Sequence, residues 1–133
     1  MNKLCLLWQE AISRKWYHVA NLVIDSTGTY LFSYEKNDKK RGLNEAIDLG
    51  YKPHPTFPDF NKKYQSDKMF SAFLRRLPDR NRNDYKEILK RLGINSDSSD
   101  FDLLSVTGGI LNSDSYEFVK PIEFNQNEFS ANF

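Results

Sequence analysis

Gly108 and Gly109 close the run Phe101-Asp102-Leu103-Leu104-Ser105-Val106-Thr107-Gly108-Gly109, and a glycine pair raises the question of phosphate binding. A phosphate-cradling loop needs several glycines after a strand, opening a helix whose amide groups face the anion, often with a lysine. Here the pair follows an apolar helical run and precedes Ile110-Leu111-Asn112-Ser113-Asp114, so its position predicts a helix C-cap and a chain reversal instead. Cys5 lies inside an apolar run and reads as a small core residue rather than a thiolate nucleophile. His18 falls on a strand-like run and His54 between Pro53 and Pro55, neither beside a Ser or Cys in a nucleophile motif. Asp79, Asp84 and Asp100 stand where helix caps and first-turn acids stand. With Cys5, His18 and His54 alone, neither a zinc set nor an internal disulfide can be assembled. A glycine-rich loop with a strand lysine, an HRD and a DFG are all missing from the sequence. These readings converge on a binding module that performs no reaction and takes no cofactor.

The elements that must position these residues begin with strands. The chain has 133 residues, enough for one domain with a single modest core. Leu4 to Trp8 is apolar on both strand faces, which predicts a covered strand. After a turn at Glu10–Lys15, Trp16 to Ile24 reads as a second strand. Asp25-Ser26-Thr27-Gly28 then signals a turn before a third, Thr29 to Tyr34. Short links between consecutive strands predict an antiparallel meander. A weak helix is expected over Leu43–Leu49, ended by Gly50. Pro53, Pro55 and Pro58 then forbid both helix and central strand, leaving a stiff extended loop that carries Tyr51, Phe57, Phe60 and Tyr64. Those rings either close the open end of the core or form a rim for a partner, where aromatic anchors are enriched. The total aromatic content of 14% leaves rings for both uses.

The helical half is expected to start at Ser66 as N-cap, with Met69, Phe70, Phe73, Leu74 and Leu77 forming an apolar stripe that Pro78 stops. A second helix is expected from about Asn83, with Tyr85, Ile88, Leu89 and Leu92 on one side and Gly93 closing it. A third is capped by Ser98 or Ser99 and carries Phe101, Leu103, Leu104 and Val106. Tyr116, Phe118 and Ile122 suggest a last strand returning to the sheet. The fold class is therefore α+β: an antiparallel meander sheet with three short helices packed on one face, spanning residues 1–124 as one domain. Residues 125–133 are read as a flexible tail. The formal net charge of +1 gives no strong overall field, so nucleic-acid binding is not expected. The apolar run at Leu4–Trp8 is too short for a signal sequence or membrane span, and a lone cysteine fits a reducing, cytoplasmic setting.

The segment from Met69 to Gly109 resembles the N-terminal subdomain of HipA-type serine/threonine kinases. It carries Phe70, Phe73, Leu77, Pro78 and Asp79, then Ile88 and Arg91, then Phe101, Asp102, Leu103, Leu104 and Gly108. The likeness covers most of residues 3–120, and the kinase core that follows this subdomain is missing from the sequence. A free-standing version is similar to the small HipS proteins of HipBST toxin–antitoxin systems. What that resemblance implies is an antitoxin that binds a HipT/HipA-like serine/threonine kinase and suppresses it, in a system that also includes a HipB-like DNA-binding protein. On that expectation, Phe57, Phe60 and Tyr64 are the partner-binding anchors and Arg75 and Arg76 the rim charges. A second likeness joins Pro55 to Phe70, Phe101 to Gly109 and Asp114 to Val119 to the N-terminal region of bacterial HIRAN-domain proteins. It implies an accessory module of a DNA-associated protein.

Overall fold

A computed structural model of the chain describes residues 2–36, 40–95, 97–111 and 113–121. Three strands follow one another as expected: β1 (Asn2–Gln9), β2 (Trp16–Ile24) and β3 (Tyr30–Tyr34). Asp25 closes the second turn by accepting from Thr27 and Thr29 N–H, while Gly28 takes a φ of +85°. Two further short strands, β4 (Tyr64–Ser66) and β5 (Tyr116–Val119), complete an antiparallel sheet of order β4-β3-β2-β1-β5. The register of β1 on β2 pairs Leu4 with Leu22 and Leu6 with Ala20, then slips at Leu6/Leu7 so that Leu7 faces His18.

Four short helices accompany the sheet: α1 (Leu43–Asp48), α2 (Ser71–Leu74), α3 (Tyr85–Arg91) and α4 (Asp100–Thr107). The main core joins Leu4, Leu6, Leu22 and Phe32 of the sheet to Leu43 and Ala46 of α1, Phe73 of α2 and Phe101 and Leu104 of α4. The second face of β1 is also buried, through Cys5 and Leu7 beside Trp16 and Val119.

Two expectations about the helices need correction. Ser66 ends β4, paired with Tyr30, and caps no helix; α2 begins only at Ser71, with Phe70 at its N-cap and no side-chain cap bond. Nor do all three later helices lie on the sheet: Tyr85 and Leu89 of α3 pack on Leu103 of α4, in a cluster separate from the main core. The expected strand residue Ile122 and the expected tail 125–133 lie outside the described residues. No helix among those residues is long and apolar enough to cross a membrane.

Candidate partner-binding site

The loop after α1 is extended because its prolines fix the backbone, and a short series of hydrogen bonds then holds it down. Tyr34 Oη donates to the Phe57 carbonyl at 2.7 Å and accepts from His54 N–H at 2.9 Å, so one buried phenol ties the loop to β3 at two points. Phe57 N–H donates to the His54 carbonyl at 2.8 Å, and Asp59 N–H to Tyr64 Oη at 2.9 Å. Lys36 Nζ donates to Asn61 Oδ1 on the far side. Tyr51 Oη accepts from Tyr116 Oη at 2.9 Å, which joins the start of the loop to β5. Burial raises the Tyr34 phenol to about 12, and the Tyr51 phenol further.

The structure sorts the five expected contact residues into surface and interior. Phe57 is 1% exposed and stacks on Phe32 with ring centroids 4.1 Å apart, so it is a core residue that no partner can reach in this conformation. Phe60 is half-buried, its ring edge-on to Tyr34 at 4.9 Å, and Tyr64 is half-buried on β4. Arg75 is exposed and borders a cleft of about 580 Å³ floored by Leu74, Leu77 and Pro78. Arg76 is 8% exposed and is no rim charge. Its guanidinium donates to the Gly109 carbonyl at 2.9 Å, pairs with Asp114, and lies 5.5 Å from the centre of the Tyr116 ring. Ala72 and Phe73 of α2 are buried, and Arg76 N–H still donates to the Phe73 carbonyl at 3.0 Å, so the helical turn runs on past α2 and brings Arg76 round to the same buried side. The surface that remains consists of Phe60 and Tyr64 on the loop side and Arg75 with Leu74 on the cleft side.

His54 belongs to this region, although its sequence position gave it no part in binding. The only signal was its place between two prolines. Its Nδ1 accepts from Thr56 N–H at 3.1 Å, which puts the proton of the neutral ring on Nε2. The ring packs 5.6 Å from Phe57 and 6.0 Å from Tyr116, centroid to centroid. Burial holds its pKa below the usual 6.5; the Arg76 and Arg75 cations add to this and Asp114 opposes it. His18, 2% exposed on β2, lies apart from this site. Its Nε2 meets Asn21 Oδ1 at 2.7 Å, and Asn21 Nδ2 donates to Glu35 at 2.6 Å.

The glycine pair performs the turn expected of it. Gly108 ends α4 in the left-handed conformation at φ +74°, with its N–H on the Leu104 carbonyl. Its own carbonyl accepts from Phe118 N–H at 2.8 Å, while Gly109 N–H donates to Thr107 Oγ1 at 3.1 Å. Both amide donors are thus engaged within the fold, whereas an anion cradle needs them free. A Cβ on Gly109 would lie 2.6 Å from Leu104 Cδ1. A further cleft of about 530 Å³ opens between the start of β1 and α4, and it includes none of the five expected contact residues. No protein-family model matches the chain, and no curated protein matches its sequence.

Proposed function

We propose that the protein is a non-catalytic docking module of the HipS kind, which binds a HipA-type serine/threonine kinase and holds it inactive. The observation that carries this reading is the pre-ordering of the proline-rich loop. Tyr34 pins it to the sheet at Phe57 and His54, and Phe60 and Tyr64 remain half-exposed at its outer end. A surface ordered before binding loses little conformational entropy on docking. Phe60 and Tyr64 serve as anchors, and Arg75 as a charge beside the apolar Leu74. Binding of a co-encoded HipA-type kinase, measured by calorimetry, tests the assignment. Phe60→Ala or Tyr64→Ala should weaken binding by at least ~2 kcal/mol if either is a true anchor. Unchanged affinity in both, with the fold intact, removes the loop from the interface.

A second reading, the accessory module of a DNA-associated HIRAN-type protein, is favoured by one observation. The exposed residues of α3 include Lys86, Lys90 and Arg91 beside the single acid Glu87, and none of the three cations forms a close ion pair among the described residues, although Arg91 acts on Asp84 at longer range. On that reading, affinity for duplex DNA falls steeply as salt rises. Lys86→Gln with Lys90→Gln should then flatten the salt slope by roughly one unit for each phosphate no longer neutralised. A flat titration at low salt rejects it.

A further inference from the structure

We infer that the His54 side chain is a proton-sensitive latch, closed when neutral, that releases the proline-rich loop from the sheet on acidification. The geometry makes the neutral ring part of the loop's fastening. His54 Nδ1 is the acceptor for Thr56 N–H, His54 N–H donates to Tyr34, and the His54 carbonyl accepts from Phe57 N–H. A proton on Nδ1 abolishes the first of these bonds and leaves two N–H groups facing each other. The new cation then sits where burial and two other cations outweigh one carboxylate. From the end of α2 come the Arg75 and Arg76 guanidinium groups. From the turn before β5 comes Asp114, already paired with Arg76. Tyr116 of β5 and Tyr34 of β3 contribute neutral phenols, and Phe57 an apolar ring.

The docked ring holds a proton less readily than a released one, whose ordinary value is 6.5. Docking is therefore fully favoured above that value and weakens as pH falls below it, until the docked ring is itself protonated. Phe60 lies on the same loop, a few residues beyond the latch, so release would also disorder that part of the surface. The latch stands without any partner, and so does its test.

Backbone NMR with amide exchange on the full chain, from neutral pH into the acid range, measures the loop directly. In the unmodified protein, the protection of Thr56 and Phe57 amides, corrected for intrinsic exchange, should fall by about tenfold per pH unit below the ordinary imidazole range. The inflection should coincide with that of the His54 ring signals. In His54→Gln, a neutral side-chain oxygen can still accept from Thr56, and the pH dependence should vanish while protection at neutral pH persists. A loop whose protection is flat in the unmodified protein overturns the proposal. So does an equal acid-induced loss in His54→Gln, which would place the transition elsewhere in the fold.

Discussion

Phe57 and Phe60 are three residues apart on one loop, yet the fold gives them different physical roles. Phe57 stacks on Phe32, meets Tyr64 edge-on at 5.0 Å and lies 5.5 Å from Phe73, so its removal opens a hole at the centre of the core. Phe57→Ala should cost about 3–5 kcal/mol in denaturant unfolding. Phe60 keeps part of its ring in solvent, and Phe60→Ala should cost well under half as much. Equal losses would show that both rings belong to the core and that neither is a docking anchor. The sequence could not separate them. Both follow prolines by similar spacings, and only the two hydrogen bonds to Tyr34 decide which ring is drawn under the loop. Arg75 and Arg76 pose the same difficulty as adjacent identical residues. The helical turn through Ala72 and Phe73 is enough to face Arg76 inward, but its acceptor at Gly109 and its partner Asp114 lie 33 and 38 residues away, beyond any local pattern.

At the scale of elements, local signals succeeded where one segment carried its own start and stop. α4 is the clearest case. Ser99 Oγ accepts from Asp102 N–H at 3.1 Å, the Asp102 carboxylate accepts from Ser99 N–H at 3.4 Å, and Gly108 terminates the helix. Ser99→Ala should therefore cost ~1 kcal/mol, and Ser99→Asp should be nearly neutral. Reversible thermal unfolding of the two variants distinguishes them, and an Ala variant as stable as the parent would mean the cap contributes nothing. Ser66 illustrates the opposite outcome. It has the right residue type for a cap and an acid beside it, but β3 offers a free edge, and pairing with Tyr30 takes the residue into β4. Propensity for a cap is worth about a kilocalorie per mole, whereas sheet pairing also aligns Tyr64 with Phe32 in the same register. The three-residue β4 is flanked by exposed Lys62, Lys63 and Lys68, a short charged edge that discourages pairing with another chain.

Across the whole molecule, the proline-rich loop, β3 and β5 are tied together through the phenols of Tyr34, Tyr51 and Tyr116, and the titration of those phenols governs stability in alkali. Tyr34 is 5% exposed and bonded at both lone pair and proton; Tyr51 is 4% exposed and bonded to Tyr116. Burial is the first cause of the raised values of all three. Well below pH 10 these groups are neutral whether the chain is folded or not, so stability is at its full value. Above 10 the unfolded chain releases its phenolic protons while folded Tyr34 holds its own to about 12, so stability falls steadily across that window. Absorbance of tyrosinate and far-ultraviolet circular dichroism, followed together, should show the ionisation of these phenols delayed until the sheet is lost. Tyr34→Phe should lower stability at neutral pH by about 1–3 kcal/mol, because the Phe57 carbonyl and His54 N–H lose their partner. The same variant should make the alkaline decline shallower, since one proton fewer is linked to unfolding. Ionisation with an ordinary midpoint in a fully folded chain would mean that water reaches these rings, and that the loop is not fastened to the sheet by Tyr34.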